Sequence, residues 1–340
     1  MTDVSPPRSF TAPVTAANSS PAPAVAMIQI TAAHAGQRID NYLLTHLKGV
    51  PRSLIYRILR QGEVRLNKRR VKPSDRLTAG DWLRIPPVRC AAANDPPTPS
   101  ARLQALLDAA VLYEDDRLLV LNKPAGLAVH GGSGISAGVI ETLRVMRPRI
   151  ELELVHRLDR DTSGCLLVSK RRSTLRWLHE QLRDGQMTKQ YQALLLGRLP
   201  QVQTRVTVAL RKNQLRSGER VVTVDPLHGK PAETLFGQQQ VWVQSTSSGQ
   251  SPGQVTLAQV TLATGRTHQI RVHAAHLGAP VAGDEKYGDA AGNQQLRALG
   301  LTRLFLHAAL VRFQPSPEAA AVTVTAPLPE ALAAVLARLG

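Results

Sequence analysis

The stretch HRLDRDTSG, residues 156–164, holds two aspartates and two arginines in front of a Ser-Gly pair. An ionised carboxylate can act as a nucleophile or as a general base, so the stretch is a candidate for a site that needs a positioned carboxylate. A solvated loop is the alternative interpretation. Two aspartates so close in a tight loop are poorly placed to flank a substrate as the acid/base pair of a glycosidase does.

The two aspartates of this stretch have different expected roles. Asp161 is followed by Thr162, Ser163 and Gly164, a composition typical of a turn. In such a turn the carboxylate accepts hydrogen bonds from nearby backbone N–H groups, so we interpret Asp161 as structural. Asp159 remains the candidate for chemistry, because two further segments of the chain contain residues that could complete a site around it.

Those two segments are a predicted strand and a predicted helix. KQYQALLLG (189–197) places Tyr191 early in a strand, where a half-buried sheet tyrosine is the ordinary alternative. In TGRTHQIRVHAAHLG (264–278), Thr267 is the expected helix cap and the first turns of the helix carry Arg271. Neither segment predicts a function by itself.

Two further patterns in the sequence concern nucleotide cofactors and metals. HGGSGISAG (130–138) contains a G-x-G-x-x-A spacing, but no βαβ unit with a suitably placed acidic residue follows, so a flexible loop beside the active site is expected. The chain has no Walker sequence. His268, His273 and His276 are spaced i, i+5, i+8 on the predicted helix, which does not place all three on one face. We therefore expect no cofactor and no metal.

The overall composition restricts the partners of the protein. With 340 residues, 43% of them hydrophobic, the chain can bury a sizeable core and suits two domains. A formal net charge of +17 predicts a polyanionic partner, and the lack of a long apolar run favours nucleic acid over a membrane. Only two cysteines, Cys90 and Cys165, are present, and no secretory signal precedes the domains, so a cytoplasmic protein is expected.

Composition changes divide the chain into four parts. Residues 1–26 are rich in Pro, Ala, Ser and Thr and are expected to be a disordered tail, 27–88 a small α+β module, and 89–103 a linker. In the large part, 104–340, strand-like runs adjoin one another, which predicts an α+β fold with a mixed, mainly antiparallel sheet flanked by helices. The polar stretch 245–253 is expected to be a surface loop.

Individual elements follow from hydrophobic periodicity. The small module contains two predicted helices, of which the second is expected to begin with Ser53 as its N-cap and to end at Gly62. Short strands separated by tight turns are predicted to follow, the first turn at Asn67 and Lys68. In the large part, the predicted strands include LELVHRL (152–158) and RVTVAL (205–210).

Basic residues crowd the small module. Residues 51–76 hold nine lysines and arginines against Glu63 and Asp75. Charge runs are usually only solvated surface, but these residues flank a short helix and the hairpin beside it, which favours contact with RNA or DNA phosphates. The predicted contacts are Arg52, Arg57, Arg60, Lys68, Arg69, Arg70 and Lys72.

The small module also resembles the S4 RNA-binding domain. RIDNYLLTHL (38–47) and SLIYRILRQGEVRLNKRRVKPSDRLTAGDWLRI (53–85) follow the order of that family: two helices, a glycine, a V-x-x-N-x-x-x-V-x-P run and a final Gly-Asp turn. The resemblance implies a protein that binds structured RNA. It does not imply catalysis.

Four segments of the large part resemble, in order, the motifs of the pseudouridine synthases that modify large-subunit ribosomal RNA. An S4 domain in front narrows the resemblance to one branch of that family. The likeness runs from about residue 30 to 320, and neither the N-terminal tail nor the 245–253 loop touches a motif. The segments are LLVLNKPAGLAVH (118–130), HRLDRDTSGCLLVSK (156–170), KQYQALL (189–195) and TGRTHQIRVH (264–273).

This resemblance implies a reaction and roles for five residues. Uracil is detached from its ribose at N1, rotated, and rejoined through C5, without cofactor or metal. Asp159 is the implied carboxylate at the sugar, either attacking C1′ or removing the C2′ proton. Arg271 is implied to pair with Asp159 and keep it ionised, and Tyr191 to stack on the extruded uracil. Arg157 is implied to fill the vacated position in the RNA, and Arg266 is a candidate phosphate contact.

The implied partner is 23S ribosomal RNA, with no membrane contact and a monomeric state. Resemblance to one subgroup of the branch implies several separated target uridines in 23S rRNA. Resemblance to a second subgroup would imply a different cluster of target uridines. A non-enzymatic rRNA-binding assembly protein would share the charge and the S4 module but would not need Asp159, Tyr191 and Arg271 together. An N-glycosidase acting on nucleosides would need the carboxylate but no RNA-binding module.

Overall fold

The structure, a computed structural model, describes residues 25–47, 50–88, 99–131, 138–214, 220–244 and 253–339. Most of the predicted tail, linker and 245–253 loop lie outside these residues. The chain divides into two compact units, Met1–Asn94 and Asp95–Gly340, each with its own core. Across the described ranges, no helix is long and apolar enough to cross a membrane.

The first unit packs two helices against a small sheet. Its strands are ordered β1-β4-β2-β3, and every neighbouring pair is antiparallel. Apolar side chains of both helices and of the strands form one buried cluster, as the periodicity of the sequence predicts. The elements are β1 (Ala26–Gln29), a 3-10 turn (Ala32–His34), α1 (Ile39–His46), α2 (Arg52–Gln61), β2 (Arg65–Leu66), β3 (Arg69–Arg70) and β4 (Trp82–Ile85).

Turn chemistry sets the boundaries of these elements. The predicted N-cap of α2 is wrong: Pro51 holds that position with φ −56° and ψ 137°, so the helix begins at Arg52 and Ser53 lies in its first turn. The predicted end at Gly62 is confirmed, with φ +73°. Asn67 and Lys68 have φ values of +48° and +67°, which suits the tight turn between β2 and β3.

The second unit is built on one large sheet in which the described strands follow the order β10-β13-β14-β9-β15-β8-β6-β5. In addition, β16 pairs with β15, β7 pairs with β8, and β11 and β12 form a separate hairpin. The strands are β5 (Val111–Glu114), β6 (Leu118–Lys123), β7 (Glu153–Leu154), β8 (Ser163–Ser169), β9 (Thr188–Leu196), β10 (Gln203–Val206), β11 (Leu210–Gln214), β12 (Arg220–Val224), β13 (Thr234–Gln244), β14 (Gly253–Leu262), β15 (Leu306–Phe313) and β16 (Val322–Thr325).

Helices cover this sheet, and the α+β prediction is confirmed. Among the described strands, β8 and β15 are parallel and the other pairs are antiparallel, so the sheet is mixed and mainly antiparallel. The helices are α3 (Ala101–Ala109), α4 (Val139–Met146), α5 (Arg172–Arg183), α6 (Gln269–His276), α7 (Ala290–Ala298) and α8 (Glu330–Leu339).

Three local predictions in this unit need correction. The stretch 152–158 pairs with the sheet only at Glu153–Leu154 and then leaves it as a loop. The stretch 205–210 spans the end of β10 and the start of β11, because the chain turns from the large sheet into the separate hairpin. Helix α3 was not predicted: it begins inside the predicted linker, where the Ser100 hydroxyl accepts a hydrogen bond from Leu103 N at 3.3 Å.

Ser163 and Gly164 begin strand β8 instead of completing a turn. Gly164 has φ +109°, and a Cβ atom at this position would lie 2.2 Å from the carbonyl oxygen of Ala308 on β15. Only glycine permits this close parallel approach, in which Ser163 lies opposite His307. The glycine thereby brings the loop in front of β8 against the middle of the sheet.

Candidate active site

Three elements bring the predicted catalytic residues together. Asp159 lies in the loop between β7 and β8, Tyr191 lies on β9, and Arg271 lies on α6, which follows β14. Strand β15 separates β8 from β9, since His307 pairs with residues of both. Strand β14 borders β9 on its other side, with Val260 opposite Tyr191. All three predicted residues consequently line one open cleft.

A buried lysine ties the loop of Asp159 to the preceding motif. Lys123 is 0% exposed, and its Nζ donates to the carbonyl oxygens of Pro124, Leu127 and Arg160 at 2.8, 2.9 and 2.9 Å. Burial lowers the pKa of Lys123 to about 7. Because Arg160 directly follows Asp159, the lysine holds the backbone on which the candidate carboxylate sits.

Backbone hydrogen bonds complete the loop. The carbonyl oxygen of Asp159 accepts from Thr162 N at 3.2 Å. The Asp161 carboxylate was expected to accept from backbone N–H groups, and this is wrong: its Oδ1 accepts from the side chain of Arg160 at 3.1 Å. His156 shapes the loop: burial lowers its pKa to about 4, and the neutral ring accepts a hydrogen bond from Leu167 N of β8 at 3.2 Å.

Arg271 is oriented by a residue that the sequence did not single out. Its Nε and Nη2 donate to the two carboxylate oxygens of Asp284 at 2.7 Å each. The remaining terminal nitrogen, Nη1, lies 4.0 Å from Oδ2 of Asp159. The implied ion pair of Arg271 with Asp159 is therefore present at this distance, and Asp284 is an additional, bidentate partner of the same guanidinium.

The carboxylate of Asp284 is buried and ionised. Burial alone would raise its pKa, but hydrogen bonds from Arg271 and from the backbone N–H groups of Lys286 and Tyr287 lower it below its usual range. The guanidinium of Arg271 also lies 5.0 Å from the centre of the Tyr287 ring. Arg271 is thus held on two sides before any substrate binds.

His268 is the N-cap of α6, in place of the expected Thr267, and adopts a left-handed conformation with φ +53°. Its Nδ1 lies 2.8 Å from the Tyr287 hydroxyl, which accepts a hydrogen bond from Val222 N at 2.9 Å. We assign the phenol as the donor to Nδ1, since its oxygen already accepts from Val222 N, and with this assignment the imidazole hydrogen is on Nε2. Nε2 lies 3.9 Å from Oδ2 of Asp159, and burial lowers the pKa of His268.

Tyr191 is buried, with 7% of its surface exposed, which is deeper than the half-buried sheet tyrosine of the alternative interpretation. Burial and the neighbouring charge of Asp159 both raise the pKa of its phenol, which therefore stays protonated. The two predicted substrate contacts, Arg157 and Arg266, are exposed and line the same cleft. Arg266 Nε donates to the carbonyl oxygen of Pro231 at 3.0 Å.

Sequence reasoning missed Asp284, His268 as a neighbour of Asp159, Tyr287 and Lys123. A signal existed for two of them. Lys123 ends a buried strand that begins with four apolar residues, and a charge in such a place is costly unless several acceptors surround it. Asp284 follows a glycine in a mostly apolar segment. Its partner, however, is thirteen residues away and is not predicted by any local pattern.

Two of the three histidines considered as metal ligands, His268 and His273, have separate partners. His273 is buried between the Thr234 hydroxyl at 2.8 Å and the carbonyl oxygen of Val208 at 3.0 Å, whereas His268 faces Tyr287. Within the described residues, no three His, Cys, Asp or Glu side chains are grouped so that they could share a metal ion. The predicted loop at 130–138 lies mostly outside the described residues.

In the first unit, the predicted RNA contacts Arg57, Arg60, Lys68, Arg69, Arg70 and Lys72 are all exposed. The side chain of Arg52 lies outside the described residues. Arg70 donates to the carbonyl oxygen of Gln61 at 3.2 Å, and Lys68 lies at the turn between β2 and β3. The unit therefore carries a basic surface on α2 and the adjoining hairpin.

Comparison with protein families assigns both units. Residues 37–83 match the S4 domain, and residues 117–276 match RNA pseudouridylate synthase. Two human proteins of known structure, RNA pseudouridylate synthase domain containing 1 and 4, superpose with TM-scores of 0.53 and 0.55 at 26% and 24% identity. The matches cover 66% and 70% of this chain, and 86% and 95% of the human chains.

Relatives of similar length are named ribosomal large subunit pseudouridine synthase C. The protein from Escherichia coli (strain K12) is 51% identical over 93% of this chain and 97% of its own length. The Haemophilus influenzae protein is 50% identical over 93% and 95%, and the Yersinia pestis protein 53% identical over 90% and 93%. With both units matched and half of the residues identical over almost the whole chain, the protein belongs to the RNA pseudouridylate synthase family and is an RNA pseudouridine synthase with an S4 domain.

Proposed function

We propose that the enzyme converts several separated uridines of 23S ribosomal RNA to pseudouridine, with Asp159 as its catalytic carboxylate. One observation carries the assignment of Asp159: its carboxylate is 18% exposed in a cleft where the Arg271 guanidinium lies 4.0 Å away and Tyr191 lines the same space. The relatives named as large-subunit enzymes support ribosomal RNA as the substrate.

The rearrangement breaks the bond between N1 and C1′ and forms a bond between C5 and C1′. The C5 proton is lost and N1 gains a proton, so no oxidation state changes and no group is imported. Asp159 attacks C1′ or removes the proton from C2′, and both routes begin with the ionised carboxylate. The positive charge of Arg271 attracts that carboxylate, and because Asp284 anchors the arginine, the attraction acts from a fixed direction.

The target base has to leave its stack before the sugar can reach Asp159. We assign Tyr191 to stack on the extruded uracil, since a protonated phenol in a buried position presents a rigid, uncharged ring. Arg157, exposed at the cleft, is placed to fill the position that the base leaves, and Arg266 to contact phosphate. The buried carboxylate performs chemistry, and the exposed arginines hold the opened RNA.

The S4 unit supplies affinity that does not depend on sequence. Its exposed lysines and arginines neutralise phosphates, while the cleft of the second unit selects uridine. We assign the enzyme a monomeric state and the cytoplasm as its place of action, where bacterial ribosomal RNA is made. The chemistry itself requires neither a cofactor nor a metal.

The test is pseudouridine mapping on protein-free 23S rRNA incubated with wild-type protein or with Asp159→Asn, without ATP or added metal. We expect pseudouridine at several separated positions with the wild type only, while the variant still binds the RNA. If the modified positions form a single cluster, the proposal of several separated target uridines is wrong, and the alternative target pattern, a cluster of uridines, takes its place. If Asp159→Asn forms pseudouridine at the wild-type rate, Asp159 is not the catalytic carboxylate.

A further inference from the structure

A second cavity of the Asp95–Gly340 unit adjoins the catalytic cleft. It is open to solvent and shares His268 and Arg271 with the cleft as lining residues. Arg303, from the segment that precedes β15, lines the cavity on the side of the Asp159 loop. When the target base occupies the cleft, the RNA backbone on either side of it continues past the rim of the cleft. This cavity adjoins that rim.

The carboxylates that line this cavity are already neutralised. Each of them pairs with an arginine that also lines the cavity, and among the described residues no carboxylate lies within ion-pair distance of Arg303, which the Asp161 carboxylate attracts only from farther away. The three pairs are Asp284 with Arg271 at 2.7 Å, Asp161 with Arg160 at 3.1 Å, and Glu285 with Arg297 at 3.4 Å. The half-buried guanidinium of Arg303 therefore leaves the cavity with an excess of positive charge.

Neutral groups hold Arg303 in a defined orientation. Its Nη2 donates to the Ser163 hydroxyl at 2.9 Å and its Nη1 to the carbonyl oxygen of Asp161 at 3.4 Å. Ser163 in turn lies 2.9 Å from Nδ1 of His307, whose Nε2 lies 3.1 Å from the carbonyl oxygen of Ala326. Since a carbonyl oxygen only accepts, Nε2 carries the hydrogen, Nδ1 accepts from Ser163, and the hydroxyl oxygen is left to accept from Arg303.

The chemistry of this arrangement selects an anion. A guanidinium offers five N–H donors in a planar fork that matches phosphate oxygens. Arg303 donates only some of them to protein acceptors. Partial burial strengthens its attraction for an anion, and no carboxylate of the described residues competes for it through an ion pair. A half-buried arginine that is oriented by neutral acceptors is a preformed receptor for phosphate.

We infer that this cavity binds a backbone phosphate of the RNA strand next to the target uridine and that Arg303 is the residue that binds the phosphate. This inference rests on the proposed function. The site holds the flanking strand while the base occupies the cleft. Its effect is on binding of the RNA, because Arg303 does not touch the carboxylate of Asp159.

The experiment compares Arg303→Gln with Arg312→Gln, which removes the same charge from an exposed position on β15 outside both cavities. With 23S rRNA as substrate, we expect Arg303→Gln to raise KM about tenfold, the loss typical of a charged hydrogen-bonding partner, at nearly unchanged kcat. The slope of log Kd against log salt should fall by about 0.7. Arg312→Gln should match the wild type.

A second arm uses the wild-type protein, so that it does not depend on the folding of a variant. Methylphosphonate links replace single phosphates in a synthetic stem-loop around a uridine that the mapping identifies. A single methylphosphonate at one position next to the uridine should weaken binding of the RNA to the wild-type protein, and the other positions should leave binding unchanged. Free inorganic phosphate that competes only at high concentration, with no sensitive position in the RNA, would indicate an adventitious anion site and overturn the inference.

The outcomes separate this inference from the proposed function. A wild-type enzyme that forms pseudouridine, together with Arg303→Gln of unchanged KM and salt slope, would overturn only the phosphate site. A wild-type enzyme that forms no pseudouridine in 23S rRNA would overturn the proposed function, and the phosphate site with it.

Discussion

Arg271 and Asp284 are joined by two hydrogen bonds of 2.7 Å. Both residues are buried: 9% of the surface of Arg271 and 1% of the surface of Asp284 are exposed. Backbone N–H groups of Lys286 and Tyr287 hold the same carboxylate at 2.9 and 3.0 Å. The arginine beside the candidate catalytic Asp159 is therefore aimed by a second aspartate that does not itself line the catalytic cleft. Asp284 is a positioning residue.

Replacing Asp284 with Asn should slow the chemical step. The amide keeps the size of the side chain but loses the charge and one of the two acceptors, so Arg271 is free to turn away from its place beside Asp159. We expect the single-turnover rate on saturating 23S rRNA to fall about 10- to 100-fold, since a misplaced group commonly costs about 100-fold, with KM nearly unchanged.

The amplitude of the same reaction separates positioning from misfolding. A merely structural defect would lower the fraction of active enzyme and leave the rate of the remainder unchanged. Glu285→Gln is the control, because this neighbouring carboxylate is 84% exposed. Equal rates for Asp284→Asn and Glu285→Gln would contradict the positioning role.

Tyr287→Phe should change the pH dependence of the enzyme. The phenol hydrogen bond stabilises neutral His268, whose pKa burial already lowers, while Asp159, Arg271, Asp284 and Lys286 supply the surrounding charges. Loss of a hydrogen bond to the neutral form raises the pKa of the imidazole toward 6.5. Protonation puts a cation next to Asp159, so the acid limb of kcat should move to higher pH.

The measurement is kcat between pH 5 and 8 for the wild type, Tyr287→Phe and Tyr113→Phe. The last variant removes a phenol that is bonded to Asp115, away from the cleft. The acid limbs of the wild type and of the control should lie at lower pH than the acid limb of Tyr287→Phe. An acid limb of Tyr287→Phe that coincides with theirs would show that the tyrosine does not act on His268.

Lys123→Met should destabilise the second unit. The substitution keeps the apolar stem but leaves the carbonyl oxygens of Pro124 and Leu127 without a hydrogen-bond donor, each at about 1–3 kcal/mol. We expect the free energy of unfolding to fall by about 3 kcal/mol in urea titrations. Lys230→Met, at an exposed position, should stay within about 0.5 kcal/mol of the wild type, and similar losses for both would argue against this role of Lys123.

Neutralising the basic surface of the S4 unit should weaken RNA binding without slowing chemistry. In Lys68→Gln/Arg69→Gln/Lys72→Gln, three exposed charges are lost, so the slope of log Kd against log salt should fall by about 2 while kcat at saturating RNA stays constant. The matched control removes three exposed charges of the second unit, at Arg176, Lys230 and Arg312. A drop in kcat, or an equal loss of affinity in the control, would contradict the division of labour between the units.

The sequence alone predicts much of the fold. Apolar periodicity identifies α2, Gly62 marks its end, and Asn67 with Lys68 marks the hairpin turn, since all three depend on neighbours within a few residues. Periodicity fails at 152–158, where an alternating pattern typical of a strand leaves the sheet after Leu154. There the loop geometry required in front of β8 outweighs local preference.

For the site, sequence motifs single out Asp159, Tyr191 and Arg271, whose types and order already indicate their chemistry. What surrounds them was decided by tertiary structure. Asp284 meets Arg271, and Lys123 meets the carbonyl oxygen of Arg160, across separations of 13 and 37 residues. Such contacts exist only once strands β8, β15, β9 and β14 are in register, because the free energy that holds a buried charge comes from partners that the fold assembles, and local sequence preferences do not encode them.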